Sequence, residues 1–220
     1  MIGACREYYN PGKGKSKARA VLLSARFAKQ LWYAVVENGS DLDGFGFFGY
    51  DNPKEVNAME EDLKFMDEAL RLAKEAAAEG EVPVGCVIVR NGEIVGRGRN
   101  RRERAKTALG HAEIEAIADA CKNLGGWRLW ECTLYVTLEP CPMCAGAIIN
   151  ARIPRVVFGG ADKKGGACGS VCDLFSMDFN HHPQVEKGLM EMECAGILKE
   201  FFQNLRLELE SRPKWRPKSR

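Results

Sequence analysis

The chain has 220 residues, 45% of them hydrophobic, which is enough for one core, and 32 basic against 30 acidic residues leave a net charge of only +2. That balance carries no bulk signature of nucleic-acid binding, so any such signal has to come from local clustering. No apolar run approaches the ~18 residues of a membrane span and no secretory signal pattern opens the chain, so the expectation is a cytoplasmic protein whose nine cysteines serve metal ligation and core packing rather than disulfides.

Residues 1–58 read differently from the rest. They open with a basic stretch (Lys13, Lys15, Lys17, Arg19, Arg26, Lys29) and close with a Gly/Phe/Asp-rich run over 39–51. Residues 18–31 suit a short amphipathic helix, while Glu7 and the glycines within 3–14 fit a targeting peptide poorly. The segment carries no recognisable chemistry. It is expected to be an extension of low structure, the plain alternative being an upstream leader with Met59 as the functional start.

From Met59 onward Leu63, Met66, Leu70, Ala73 and Ala77 recur at helical spacing up to Gly80, a suitable C-terminal cap. Residues 82–89 are rich in β-branched side chains, Asn91-Gly92 is a two-residue hairpin turn, and residues 93–98 form the paired strand. A helix over 111–124 (Ile114, Ile117, Ala118, Cys121) closes at Gly125-Gly126, and a buried strand follows over 132–138. Residues 141–152 form the next helix, 155–158 a strand, and a Gly-rich loop runs to Gly169. The order so far is αββαβαβ. An amphipathic helix over about 190–209 ends the domain at residue 211, and the tail 212–220 is basic and punctuated by proline. There is no internal repeat.

Two motifs carry chemistry, and each begins a predicted helix. His111-Ala112-Glu113 starts one, and Pro140-Cys141-Pro142-Met143-Cys144 starts the other. Cys141 and Cys144, three apart, project from one helix face and can grip a single ion. The helix N-terminus favours the thiolate form that zinc requires, and Pro142 costs the first turn little. Alone, a Cys-x-x-Cys is a structural zinc knuckle or core packing, and a His-x-Glu is surface polarity. Together, His111, Cys141 and Cys144 make three ligands where a structural site has four, which implies a bound water in the open place. Zinc can bring the pKa of such a water from ~15.7 to about 7, and Glu113, two residues past the histidine, is placed to take its proton and return it to a ring nitrogen and a departing amine. His-x-Glu followed by Pro-Cys-x-x-Cys is the signature of zinc-dependent nucleobase deaminases.

Over residues 59–212 the chain resembles the bacterial tRNA adenosine deaminases of the cytidine and deoxycytidylate deaminase superfamily. The resemblance rests on Glu81-Val82-Pro83-Val84-Gly85, Gly98-Arg99-Asn100, His111-Ala112-Glu113-Ile114, the run from Leu134 through Glu139-Pro140-Cys141-Pro142-Met143-Cys144 to Ala147, and Asn180-His181. It implies a cytidine deaminase-like three-layer α/β/α sandwich with a central mixed five-stranded sheet. It also implies one zinc ion per subunit, a homodimer, tRNA as partner, and conversion of the wobble adenosine of an anticodon to inosine. Carried over by position, it makes Asn100, Asp162, Asn180, Phe202 and Arg206 contacts to the flipped base or its neighbours, Pro83 and Val84 the pocket lining, and His181 a further substrate contact. Two departures stand near the site: Thr107-Ala108-Leu109-Gly110 replaces the usual Asp-Pro-Thr-Ala, and Ala161 precedes Asp162 where an arginine is common. The segment before residue 59 has no counterpart.

Arg97, Arg99, Arg101, Arg102, Arg104 and Lys106 crowd the hairpin end and the loop before His111. Such density is expected to neutralise RNA phosphates, a solvated loop being the alternative. Cys86, Cys121, Cys132, Cys168, Cys172 and Cys194 read as packing residues, Trp127 and Trp130 as core or dimer packing, and His182 as having no catalytic role. The rival functions are a sister deaminase acting on free guanine or a cytosine nucleotide, with the same metal chemistry in a different pocket, and a non-catalytic zinc protein that binds RNA, which needs a fourth protein ligand.

Overall fold

The computed structural model describes residues 53–211, with side chains from residue 58 onward. The expectations for the earlier extension and for the tail 212–220 lie outside the described residues, with one exception. Helix α1 spans Pro53–Ala78, so it begins six residues before Met59, inside the segment expected to have low structure. Pro53 stands at its first position, where a missing N–H costs nothing and the fixed φ suits a helix. Leu63, Met66, Ala69, Leu70, Ala73 and Ala76 are buried along one side of α1.

Strand β1 (Gly85–Arg90) is buried almost throughout and turns at Asn91-Gly92 into β2 (Glu93–Arg99). Both turn residues have positive φ, 52° and 78°, the type I′ geometry that matches strand twist. Residues 82–84 belong to no strand, although β-branched; Pro83 among them has no N–H to give a ladder. A short helix α2 (Arg102–Ala105), not foreseen from the sequence, precedes α3 (Ala112–Leu124), which ends on Gly125 in the left-handed conformation. Strand β3 (Cys132–Leu138), helix α4 (Pro142–Ala151) and strand β4 (Arg155–Gly160) follow. Strand β5 (Gln184–Lys187) is exposed, with Val185 its one half-buried side chain, so periodicity gave no sign of it. Helix α5 (Glu191–Ser211) closes the described chain.

The sheet has the order β2-β1-β3-β4-β5. Strand β1 is antiparallel to both neighbours, whereas β3, β4 and β5 are mutually parallel, so the sheet is mixed. Alternation sorts its side chains onto two faces. Cys86, Ile88, Leu134, Val136, Val156 and Phe158 pack with Ala112, Ala116 and Ala120 of α3 and Ile148 of α4. Helix α1 covers the opposite face, where Phe65 meets Tyr135 with ring centroids 5.4 Å apart, and α5 packs on β4, β3 and α1. This is the α/β/α sandwich that the sequence implies.

Parallel strands β3 and β4 end on the same edge of the sheet, and open α/β sheets place their sites beyond such carboxyl ends. Residues 139–141 leave β3 there and residues 161–173 leave β4.

Candidate active site

His111 is the residue just before α3 and Cys141 the residue just before α4, both in extended conformation. Cys144 sits one turn inside α4 and is buried. These local structures bring three donors to one point. His111 Nδ1 lies 3.6 Å from Cys141 Sγ and 3.5 Å from Cys144 Sγ, and all three ligand atoms fall within 4.8 Å of one another. Among the described residues this is the one His/Cys/Asp/Glu cluster able to hold a metal ion. A tetrahedral ion with Zn–S ~2.3 Å and Zn–N ~2.0 Å sets N···S edges of about 3.6 Å, so the donor set fits zinc. Only three of four corners are filled by the cluster.

Glu113 stands beside the cluster with 4% of its surface exposed. Burial pushes its carboxyl up to about 7, and the nearby Cys141 charge adds to that, while the charge of His111 and a hydrogen bond with Cys144 oppose it. A carboxyl poised there exchanges protons readily at neutral pH. The hydrogen bond from Cys144 holds the Cys141 thiol down to about 4, and the same bond is the largest cause that pushes Cys144 up. Metal ligation requires both sulfurs as thiolates, so a bound cation displaces whatever proton the pair retains. The Cys141 hydrogen bond raises His111, with burial and the charge of Arg102 opposing.

The surroundings divide the remaining expected residues. Asn100 is buried; its Oδ1 accepts the Ala112 N–H at 3.1 Å and its own N–H donates to the Val84 carbonyl at 3.1 Å. Asn100, Val84 and the buried Pro83 thus line up against the start of α3. Asp162 lies on the loop after β4, at the same edge as Cys141, and accepts the Lys164 N–H at 2.9 Å. Asn180 and His181 are elsewhere: Asn180 Oδ1 accepts from Arg152 at 2.8 Å and His181 Nε2 donates to the Ile153 carbonyl at 2.8 Å. Both therefore sit at the far end of α4, roughly 15 Å from Cys141 at 1.5 Å per residue. Phe202 and Arg206 are exposed on α5, which packs on β3, β4 and α1. Asn180 and His181 are thus held away from the metal cluster.

Two buried carboxylates escaped the sequence reading. Glu139 accepts the backbone N–H groups of Asp162, Cys168 and Ser170 at 3.0 Å each, and the Ser170 hydroxyl as well. Desolvation would raise its pKa, but those hydrogen bonds together hold it below the usual carboxylate range. It ties the loop after β4 to the cysteine loop. Glu81 accepts the N–H groups of Arg104 and Glu103 at 2.7 and 3.1 Å and so fixes α2. The available signal was an acidic residue inside an otherwise apolar stretch.

The arginine-rich segment departs from expectation. Arg97 pairs with Glu68, Arg99 with Glu75 and Glu79, Arg101 with Glu115, Arg104 with Glu79 and Lys106 with Glu103. Most of this positive charge is met by carboxylates distant in the chain: Glu68 and Glu75 of α1, Glu79 just after it, and Glu115 of α3. Trp127 and Trp130 are not core either, being 52% and 65% exposed, with the Arg128 guanidinium 4.0 Å over the Trp127 ring.

A MafB19-like deaminase profile matches residues 60–206. The tRNA-specific adenosine deaminase of Bacillus subtilis is 50% identical over 149 residues, 67% of this chain and 92% of the relative. The chain belongs to the tRNA-specific adenosine deaminase family. A member from Streptococcus pyogenes is 47% identical over 146 residues, covering 66% of this chain and 92% of its own length. A solved structure from work on A-to-I editing by tRNA:A34 deaminases at the wobble position superposes with a TM-score of 0.58 and 46% identity, over 61% of this chain and 99% of that one. Membership agrees with the fold and the motif order, and it disfavours a guanine or cytosine-nucleotide deaminase.

Proposed function

We propose that this chain deaminates adenosine to inosine at the wobble position of tRNA anticodons, with zinc held by His111, Cys141 and Cys144 and with Glu113 moving the protons. The observation that carries the reading is a three-donor cluster of tetrahedral edge length beside a buried carboxyl poised near neutrality. A bound zinc ion supplies the Lewis acidity that makes water a nucleophile at neutral pH. Glu113 accepts the proton of the attacking water and delivers it to the adenine ring nitrogen next to C6. As the C6–N bond breaks, Glu113 passes a second proton to the departing amine, so adenosine and water become inosine and ammonia. Pro83, Val84 and Asn100 wall the base pocket, and Asp162 borders it.

Asn180, His181, Phe202 and Arg206 act, on this reading, on nucleotides away from the reacting base. The catalytic domain is the portion through residue 211, with its boundary at Pro53 rather than Met59. The protein works as a cytoplasmic homodimer with one zinc ion per subunit. Among the described residues, no helix is long and apolar enough to cross a membrane.

Incubating the purified protein separately with an anticodon stem-loop, free guanine and deoxycytidylate tests the assignment. Inosine in the RNA alone is the expected result; turnover of a free base or nucleotide without the RNA would overturn it.

A further inference from the structure

Of the six cations between Arg97 and Lys106, five face a carboxylate. Arg102 is the exception among them: it is exposed, and among the described residues no carboxylate pairs with it. Its position is fixed all the same. Glu81, 2% exposed, takes the two backbone N–H groups that follow it, and the Thr107 N–H donates to the Arg102 carbonyl at 3.2 Å. On the other side, Arg101 N–H donates to the Gly110 carbonyl at 2.9 Å, and a Cβ built on Gly110 would lie 3.1 Å from the Arg102 nitrogen. Gly110 is the residue before His111. A free guanidinium is therefore mounted beside the ligand histidine on backbone that a buried carboxylate holds in place.

We propose that Arg102 is the residue that grips a backbone phosphate of the substrate RNA at the mouth of the site, and that its paired neighbours do not. The inference rests on the reading of the chain as a tRNA deaminase. A guanidinium already committed to a carboxylate gains little by exchanging it for a phosphate, whereas a free one adds a charge-assisted, bidentate contact. The neighbouring pairs serve instead to fasten β2 and α2 to α1 and α3.

The test is the salt dependence of kcat/KM on an anticodon stem-loop. One lost phosphate contact lowers the slope of log(kcat/KM) against log[salt] by about one unit. Arg102→Gln is expected to lose about tenfold in kcat/KM at low salt together with that unit of slope, mainly through KM, and with zinc content unchanged. Arg102→Lys, which keeps the charge, restores the slope, and Arg97→Gln, whose partner is Glu68, leaves it unaltered. If the Arg102→Gln slope equals that of the wild type, or if Arg97→Gln loses as much slope, the inference is wrong while the tRNA assignment stands. A wild-type protein that forms no inosine in the stem-loop overturns the assignment and the inference with it.

Discussion

The carbonyl of Ala112 lies over Gly98 so closely that a Cβ on the glycine would overlap it, and the same Cβ would crowd the Ala116 nitrogen. Helix α3 approaches the sheet to this depth because its inner side is Ala112, Ala116 and Ala120, set against Gly98 and Gly96. His111 and Glu113 ride on that first turn. Gly98→Ala is expected to push the turn outward, lower stability by about 1–3 kcal/mol as overpacking does, and weaken metal retention. Thermal unfolding and metal content measure the two effects; a variant with wild-type values for both would show that α3 can shift without cost.

Glu113→Gln keeps the size of the buried side chain but removes the proton carrier. Turnover is expected to fall by about 10²–10⁴, with zinc content and melting temperature retained, since Glu113 is not among the three clustered donors. Single-turnover inosine formation, measured beside metal analysis, checks this. Retained activity would remove Glu113 from its role.

The site was legible in the sequence because its parts are local. His111 and Glu113 share one helix start, Cys141 and Cys144 another, and periodicity places both starts. The strands β1, β3 and β4 were legible because they are buried and β-branched. What was not legible depends on distant partners. Arg97, Arg99, Arg101 and Arg104 read as free charges in the sequence, and the structure sets Glu68, Glu75, Glu79 and Glu115 opposite them. Strand β5 exists because β4 offers it an edge, not because Gln184–Lys187 alternate in polarity. Glu81 and Glu139 bind backbone N–H groups across 22 to 31 residues of chain, which no residue spacing reveals.

Removal of the metal should let the cysteine ligands take up protons, because thiolate ligands compete with protons for the ion. A chelator is expected to abolish turnover and lower the melting temperature, and stoichiometric zinc to restore both, with release of protons on rebinding. Cys144→Ser should lose the metal in the same way, because one weaker oxygen donor replaces a thiolate. Proton release followed with a pH indicator is the direct measurement. Rebinding without it would mean that the sulfurs were already fully ionised.

Asp62 joins three elements. Its carboxylate receives the Tyr135 hydroxyl at 2.6 Å and the Arg155 guanidinium at 2.9 and 2.6 Å, so α1 is clamped to β3 and β4. Asp62→Asn leaves the half-buried guanidinium with Glu186 as its one remaining charged partner among the described residues and is expected to cost about 1–3 kcal/mol. Chemical denaturation measures it, and activity at a temperature well below the transition should stay near normal because the clamp lies at the sheet edge opposite the cysteines. A loss of turnover without a loss of stability would contradict that separation.

The same clamp sets how far the chain can be shortened from its start. Helix α1 begins at Pro53, and its first residue with a described tertiary bond is Asp62. Deleting residues 1–52, which precede α1 and the matched deaminase residues 60–206, should leave kcat/KM within roughly twofold of the full chain. Deleting residues 1–62 removes Asp62 and leaves the Tyr135 and Arg155 side chains, among the described residues, with only each other and Glu186 as polar partners, so that truncation should melt several degrees lower. Melting curves and stem-loop deamination on the two truncations decide the boundary. A dead protein after loss of residues 1–52 alone would mean that the leading segment takes part in catalysis.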